Sequence, residues 1–483
     1  MEYVLSLILG TLYGFLFGII PVAGAGVGLV TIFGFLDYFR ADPYLLVVFT
    51  TSMVVSAAIG DSFASIVMNI PGAGGSAASM VDGFPMTKRG EAARALGAAL
   101  STSTANGLLW GLLVFLFLPL YASLVLKLAT PEILSFLILA FASVVFVNNK
   151  YWFRGMLALA LGIFLGLIGQ DPITGAERFT FGWDYLGAGI QLAPIMAGVL
   201  AFPELLEAYN NRHNQQIIKN IKTEWQQIWQ GFEDSWKHKY DGLRGGFIGA
   251  VVGLVPGIGG NVADWVAYGQ TAMFNKNEKI AFGEGNVKGV IGCEGANNTN
   301  KATSYIPTVL FGIPGGPAYA TIMALFMLVG LEMGTPSLLT DFTFFENLAT
   351  SYTFSLLLSF VIGLFFIRYA VSITNLPFAY YFWPVMALLL WASVQYTGYW
   401  EDYFIFFLCC GLGLLLRKIK FSRAALTIGF VLADRTFLTS LHYSKLYEFT
   451  DIFTRPISGS LLALAFVAII YGVFFNKVRI KYV

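Results

Sequence analysis

The chain alternates long apolar segments with short polar ones over its whole length. A helix that crosses the hydrocarbon core of a bilayer needs about 20 apolar residues. Most of these segments approach or exceed that length, so the pattern predicts an all-α, polytopic membrane protein with about ten to twelve transmembrane helices. Segments that contain Gly and Pro are expected to form broken helices or re-entrant hairpins. The apolar segments fall near residues 3–36, 43–60, 95–127, 131–148, 151–169, 184–203, 243–273, 303–333, 347–373, 378–396, 401–416, 424–438 and 456–475.

One stretch, residues 204–244, differs from the rest because it holds six basic and six acidic residues. We expect it to be a water-exposed connector between a first membrane repeat (1–203) and a second membrane repeat (245–483). Within it, large apolar residues recur at three- and four-residue steps, which predicts one face of a helix. That helix would lie in the membrane interface or pack on the rest of the protein. The face comprises Ile218, Ile221, Trp225, Trp229, Phe232 and Trp236.

Composition narrows the class of protein. Apolar residues make up 57% and charged residues 12% of the 483 positions, whereas soluble domains are about 25% charged. A disordered chain, a disulfide scaffold and an ordinary cytosolic enzyme are therefore excluded, and a net charge of +1 gives no reason to expect nucleic acid as a partner. The three cysteines, Cys293, Cys409 and Cys410, lack metal-site spacing and are expected to pack as small apolar residues.

Two glycine-containing patterns occur in both halves of the chain. The spacing GxxxGxxxGxxPxxG occurs twice, 235 residues apart. An Ile-Pro-Gly pattern occurs at 70–72 and again at 313–315, 243 residues later. Small residues at every fourth position let helices pack closely, and the same patterns in the same order predict two related repeats. The first spacing comprises Gly10, Gly14, Gly18, Pro21 and Gly24, and then Gly245, Gly249, Gly253, Pro256 and Gly259.

The Gly/Pro runs near 21–26, 69–75, 256–260 and 312–316 would interrupt helices inside apolar segments. Unpaired backbone groups are tolerated there only against protein or a water-filled cavity, and paired breaks in two repeats indicate the binding site of a transporter. The N-terminus of a half-helix suits a carboxylate, whereas free carbonyl oxygens suit a cation such as sodium. We therefore expect a carboxylate between the 69–75 and 312–316 breaks, and coupling cations at the other two.

The candidate residues are the Gly and Pro of these runs and the polar residues nearest to them. The candidates for substrate binding are Ser62, Ser65, Asn69, Pro71, Gly72, Gly74, Asn297, Asn298, Lys301, Pro314, Gly315 and Gly316. The candidates for cation binding are Pro21, Gly24, Gly26, Pro256, Gly257, Gly259, Gly260 and Asn261. No catalytic residue and no cofactor are predicted; the coupling ion is sodium or a proton.

Four ionisable residues lie near the breaks: Asp61, Asp264, Glu294 and Lys301. Charged residues at membrane depth are functional candidates, although they also occur at the aqueous ends of helices. The Lys301 ammonium could pair with a substrate carboxylate or occupy the place of a coupling cation. In contrast, the run DGFPMTKRGEAAR (82–94) is polar throughout and is expected to form a solvated loop.

Four long motifs resemble the large membrane subunit of the tripartite tricarboxylate transporters, the TctA-type family. They are NIPGAGGSAASMVDGFPMTKRGEAARALG (69–97), GQDPITGAERFTFGWDYLGAG (169–189), GLVPGIGGNVADWVAYG (253–269) and EGANNTNKATSYIPTVLFGIPG (294–315). The resemblance extends over almost the whole chain. This sequence departs from the family pattern at Asp61, where Gly is common, and at Lys301, where a small residue is common.

The resemblance implies a secondary importer in the bacterial inner membrane. Such a protein takes an organic carboxylate from a periplasmic solute-binding protein and works with a small four-helix membrane subunit. A sodium or proton gradient drives uptake. Inverted repeats and elevator-like alternating access are likewise implied by the resemblance.

Two other classes of function remain open from the residues themselves. An intramembrane enzyme would need a nucleophile with its base, or a metal set such as HExxH, and neither HExxH nor a GxSxG elbow is present. A channel or structural membrane component is also compatible with paired helix breaks. The chain has no GxxxxGK[ST] motif, so ATP hydrolysis by this chain is not expected.

Overall fold

The structure is a computed structural model of the chain, and it describes most of the sequence. Statements about the structure refer to these residues. The described ranges are 1–20, 24–70, 76–148, 151–171, 174–210, 224–257, 259–276, 278–369, 379–395, 399–471 and residue 473.

Helices make up nearly all of the first part of the chain. A 3-10 helix (Ile32–Phe39) continues the second α-helix, and a π-helix (Met196–Ala201) joins the eighth to the ninth. Two short strands, β1 (Gly169–Gln170) and β2 (Glu177–Arg178), form an antiparallel hairpin. The α-helices are α1 (Glu2–Ile19), α2 (Gly24–Thr31), α3 (Pro43–Met68), α4 (Ala77–Lys88), α5 (Ala92–Val125), α6 (Thr130–Asn148), α7 (Trp152–Gly166), α8 (Leu192–Ile195) and α9 (Phe202–Asn210).

The second part of the chain is also helical, and a π-helix (Ile306–Leu310) extends the thirteenth α-helix. The fold is therefore all-α, as predicted. The α-helices are α10 (Trp225–Lys237), α11 (Lys239–Gly253), α12 (Gly260–Phe274), α13 (Val287–Thr303), α14 (Pro317–Leu328), α15 (Pro336–Leu339), α16 (Phe342–Phe366), α17 (Ala379–Gln395), α18 (Glu401–Lys418), α19 (Arg423–Val431), α20 (Ala433–Leu446), α21 (Asp451–Thr454) and α22 (Pro456–Ile470).

Local sequence explains where several helices begin. The Asp42 carboxylate accepts the N–H of Tyr44 and caps α3, whose first residue is Pro43. Proline suits this position because the first N–H of a helix has no partner inside the helix. Asp341 caps α16 and Ser422 caps α19 in the same way, each through a side-chain oxygen that accepts a backbone N–H.

The predicted interruptions of helices are confirmed. Helix α1 ends at Ile19 and α2 begins at Gly24, and α11 ends at Gly253 and α12 begins at Gly260. Likewise, α3 ends at Met68 before the 69–75 run. After the π-helix, α14 begins only beyond the 312–316 run.

Both glycine series lie where two helices touch. A Cβ at Gly14 would overlap the backbone of Met53, so α1 packs directly on α3. A Cβ at Gly245 would overlap the carbonyl of Gly292, so α11 packs directly on α13. The close packing expected of small residues at every fourth position is thus present in both halves. The relation of the halves as inverted repeats, and the domain boundaries at 203 and 244, stay predictions.

The centre of the protein lies where α3, α5, α13 and α16 pack on one another. Polar side chains join these helices inside the core. The Tyr352 hydroxyl donates to the carbonyl of Asn298 at 2.9 Å, and the Asn298 amide donates to the Ser103 hydroxyl at 3.0 Å. The Tyr305 hydroxyl donates to Thr51 at 3.1 Å. Buried polar groups paired in this way fix the register of the helices.

The connector helix α10 packs on α5 through a face that the tryptophan pattern did not include. Ile228 is buried, and Gly231 lies against the backbone of α5. The Trp229 and Trp236 side chains remain 62% and 74% exposed. The helix therefore packs on the protein and also presents tryptophans outward, as an interfacial helix would. The predicted face residues Ile218 and Ile221 lie outside the described residues.

Length and composition identify membrane-crossing candidates among the described helices. Four, namely α1, α3, α5 and α16, are long and apolar enough to cross a bilayer. Helices α19 and α20 are bent by 54° where they meet, and the number of candidates rises to five if this pair counts as one crossing. Six shorter apolar helices of 10–17 residues accompany them. The protein is therefore a multi-pass membrane protein, and the count of about ten to twelve crossings stays a prediction.

The prediction of a solvated loop at 82–94 is wrong. Most of the run lies in α4 and α5, and Asp82 is fully buried. Its carboxylate accepts the backbone N–H groups of Gly283, Gly285 and Asn286 at 2.8–2.9 Å, and the Tyr268 hydroxyl at 2.9 Å. Asp82 thus connects α4 to the loop before α13. The polar composition of the run does not indicate this contact.

Candidate functional site

The third and fourth Gly/Pro breaks are in direct contact. The N–H of Gly257 donates to the carbonyl of Pro314 at 3.0 Å, and the N–H of Gly259 donates to the carbonyl of Gly315 at 2.9 Å. These two bonds satisfy backbone groups that interrupted helices leave unpaired. Gly257 and Gly259 have φ values of +79° and +70°, which favour glycine.

The contact brings together the N-termini of α12 and α14. Helix α12 starts after Gly259 and α14 starts after Gly316, and a Cβ on Gly316 would lie 2.9 Å from the Cα of Gly259. Among the side chains that the structure describes, none caps either helix. The N-termini of two helices, each with the positive end of a helix dipole, therefore lie close together, which is favourable for an anion.

Neighbouring side chains hold the two breaks in position. The Ser143 hydroxyl donates to the carbonyl of Pro256 at 2.6 Å. The N–H of Gly315 donates to the Thr308 hydroxyl at 3.1 Å. A φ of +58° at Gly312 turns the chain after the π-helix. Because the Pro256 carbonyl already accepts a hydrogen bond, it has only one lone pair left for a cation.

Glu294 lies at the centre of a buried hydrogen-bond cluster. It sits on α13 and is fully buried, and it joins α13 to α3 and α4. Its Oε1 accepts the Ser62 hydroxyl at 2.8 Å and the Ser79 hydroxyl at 2.6 Å, and its Oε2 accepts the Asn297 amide at 3.1 Å. The Asn297 amide also donates to the carbonyl of Ala58 at 3.1 Å. Three buried donors thus satisfy both oxygens of the Glu294 carboxyl group.

The other ionisable candidates lie close to Glu294. Asp61 on α3 and Asp264 on α12 are buried, and one oxygen of each has no hydrogen-bond partner among the described residues. Lys301 on α13 is half-buried and acts electrostatically on Asp61, Asp264 and Glu294. Within the described part of the chain, no carboxylate forms an ion pair with the Lys301 ammonium. The Lys301 carbonyl accepts the hydroxyl of Tyr319, in the first turn of α14.

The remaining substrate candidates differ in their surroundings. Ser65 is buried, and within the part of the chain that the structure describes its hydroxyl has no hydrogen-bond partner. Asn298 donates to Ser103, and its side-chain carbonyl oxygen has no partner there either. Asn69 ends α3 in the left-handed conformation, with a φ of 57°. Pro71, Gly72 and Gly74 lie outside the described residues.

The cation candidates are only partly described. Gly24 begins α2 with a φ of +49°, and Gly26 follows within the same helix, with nothing near the position of a Cβ. Gly260 begins α12. Pro21 and the side chain of Asn261 lie outside the described part of the chain. In that part, no group of three or more His, Cys, Asp or Glu side chains could hold a metal ion.

Sequence reasoning did not select three residues that shape the site, namely Ser79, Ser143 and Tyr319. Ser79 lies within the 69–97 motif, in a run of small residues, and this motif is the one sequence feature that points to it. The contact of Ser79 with Glu294 cannot be inferred from the motif. Ser143 and Tyr319 lie in apolar segments, where an isolated hydroxyl gives no sign of its partner.

Comparison with known proteins places the chain in a family. The family model described as "Tripartite tricarboxylate transporter TctA family" matches residues 4–428. The chain belongs to this family. No solved structure matches the chain significantly.

Two proteins of Agrobacterium vitis are similar to this TctA-family chain. One is described as an uncharacterized 52.8 kDa protein in the TAR-I ttuC' 3' region; it is 28% identical over 473 residues, which cover 96% of this chain and 91% of that protein. The other is described as an uncharacterized protein in the TAR-II ttuC' 3' region; it is 29% identical over 230 residues, which cover 46% of this chain and 92% of that protein.

Proposed function

We propose that this protein is the membrane permease subunit of a tripartite transporter that imports an organic carboxylate across the bacterial inner membrane. It works with a small membrane subunit and a periplasmic solute-binding protein, and a sodium or proton gradient drives uptake by elevator-like alternating access. Membership of the TctA family supports the class of function and argues against an enzyme. The substrate is a di- or tricarboxylate or a related organic acid.

The observation that carries the proposal is the meeting of two uncapped helix N-termini at Gly259 and Gly316. Each helix N-terminus acts as roughly half a positive charge, so two of them attract a carboxylate without a buried basic side chain. Lys301, whose ammonium carries a full positive charge, lies on a backbone segment that contacts α14 through its carbonyl and Tyr319. A substrate with more than one carboxylate could bind the helix N-termini and the ammonium together.

Transport measurements test this function. Cells that produce the chain with its small membrane subunit and solute-binding protein are given radiolabelled di- and tricarboxylates, beginning with citrate. We expect accumulation against the concentration gradient that collapses when the sodium and proton gradients are dissipated. A channel would only equilibrate the solute across the membrane, so uptake that never exceeds the external concentration would contradict the proposal.

Gly316→Ala tests the position of the substrate. The new Cβ would lie 2.9 Å from the Cα of Gly259 and would push the two helix N-termini apart. We expect uptake to fall at least about tenfold, which corresponds to about 1.4 kcal/mol of lost binding. The matched control is Gly269→Ala on α12, where nothing lies within 4 Å of the new Cβ. Equal uptake by both variants, at equal amounts of folded protein, would place the substrate elsewhere.

A further inference from the structure

Ionisable side chains from three helices cluster beside the proposed substrate site. Asp61 lies on α3, Asp264 lies in the second turn of α12, and Glu294 and Lys301 lie on α13. Lys301 is tied to the first turn of α14 through its carbonyl and Tyr319. Two members of the cluster, Asp264 and Lys301, therefore belong to backbone segments near the starts of α12 and α14.

Glu294 has hydrogen-bond donors of its own within the cluster. Its two oxygens accept three hydrogen bonds, from Ser62, Ser79 and Asn297. A carboxylate with several donors is stabilised in its ionised form. Glu294 is thus held by donors of its own, and Lys301 acts electrostatically on all three carboxyl groups.

Asp61 and Asp264 have no comparable set of donors. Asp61 is 4% exposed and Asp264 is 2% exposed, and Oδ1 of each has no hydrogen-bond partner in the described structure. The charged groups that act on Asp61 are Lys301, Glu294 and Asp264, and those that act on Asp264 include Lys301 and Glu294. A buried carboxylate without a partner is costly, and one ammonium balances only one of the two.

We propose that Asp61 and Asp264 form the proton-binding site that couples uptake to the proton gradient, with Lys301 shared between these carboxyls and the substrate. This inference rests on the proposed carboxylate import. When a substrate carboxylate pairs with Lys301, the ammonium no longer offsets the charge of the aspartates, so the one still ionised takes a proton from the external water. Release of the substrate inside restores that electrostatic effect, and the aspartate gives its proton to the internal water. The only covalent bond of the protein that forms and breaks in this cycle is the O–H bond of the protonated aspartate.

The surroundings of Asp61 and Asp264 favour a proton over a sodium ion as the coupling ion. A sodium ion needs several oxygen ligands around it. Each of the two aspartates offers one carboxyl oxygen that has no hydrogen-bond partner among the described residues. A proton needs a single oxygen with a free lone pair, and Oδ1 of Asp61 and Oδ1 of Asp264 each supply one.

Infrared difference spectroscopy of the purified chain tests the site without a substrate. Spectra recorded between about pH 5 and about pH 9 report the C=O band of protonated carboxyl groups. We expect Asp61→Asn and Asp264→Asn each to lose part of this band, and the double variant to lose both parts. Lys301→Met should keep the band to higher pH, since the carboxyls lose their cation. The control Asp37→Asn, at an exposed ion pair with Arg40, should leave the band unchanged. A band that is the same in all variants overturns the proposal.

Uptake measurements separate the coupling ion from the proposed function. With citrate as the first probe, an imposed proton gradient should drive uptake in sodium-free medium, and Asp61→Asn should abolish that dependence. Uptake that needs sodium and ignores the proton gradient overturns this inference but leaves carboxylate import standing. If no carboxylate of the panel is accumulated, the proposed function fails, while the infrared band still decides whether the aspartates bind protons.

Discussion

Glu294→Ala is expected to destabilise the protein by several kcal/mol and to abolish uptake. The substitution removes the acceptor of the Ser62 and Ser79 hydroxyls and of the Asn297 amide, all of them buried. Each buried donor left unpaired costs about 1–3 kcal/mol. The same three bonds join α13 to α3 and α4, so their loss also loosens the helix that carries Lys301. Thermal unfolding in detergent, followed by tryptophan fluorescence, measures the loss of stability.

Glu294→Gln is the matched control for this prediction. Glutamine keeps the shape of the side chain and a carbonyl oxygen for the Ser62 and Ser79 hydroxyls. Its amide nitrogen would face the amide of Asn297, so one bond of three is lost. We expect the midpoint of unfolding to lie between those of the wild type and Glu294→Ala. An alanine variant as stable as the wild type would show that this cluster does not hold the three helices together.

The fold could be predicted because its main determinants are local in sequence. Apolar runs of about 20 residues predict helices in a membrane. Gly and Pro within such runs predict their interruption, and α11, for example, ends at Gly253 just before Pro256. The number of crossings could not be obtained in the same way. Several apolar helices, such as α14 with 12 residues, are shorter than a bilayer requires.

The candidate site was predicted only as a set of residues, because its contacts join distant parts of the chain. Glu294 meets Ser62 and Ser79, which lie 232 and 215 positions away. Periodicity and motif spacing report which residues share a helix face, but they do not report which face another helix contacts. For the same reason Asp82 was assigned to a solvated loop, although its carboxylate is bound by a backbone segment 201–204 residues later.

The structure brings two of the Gly/Pro runs, 256–260 and 312–316, into direct contact. The 256–260 run was expected to hold a cation and the 312–316 run a carboxylate, as separate sites. The structure pairs their backbones through Gly257 and Gly259. The N–H groups of both glycines are therefore already paired, and the helix N-termini that follow lie close together. The division into a cation site at 256–260 and a carboxylate site at 312–316 stays a prediction, and the contact between the two runs is the basis of the anion site proposed at Gly259 and Gly316.

Gly14→Val and Gly245→Val are expected to prevent folding. Each new side chain would meet backbone atoms of the facing helix, the Met53 carbonyl in one case and the Gly292 carbonyl in the other. A rotamer change cannot relieve a contact between Cβ and backbone, so α1 would have to move away from α3, or α11 from α13. Overpacking by a few atoms already costs about 1–3 kcal/mol, and separating two close-packed helices costs more. Membrane extracts should contain little monodisperse protein by size-exclusion chromatography.

Gly411→Val supplies the matched control for both substitutions. Gly411 lies within α18, and nothing lies within 4 Å of a Cβ built there. Its replacement carries the same change in side-chain volume and helix propensity without the backbone contact. We expect this variant to be produced and to elute as the wild type does. If Gly14→Val or Gly245→Val behaves like Gly411→Val, close approach of the helix backbones is not what the glycines provide, and their shared spacing must serve another purpose.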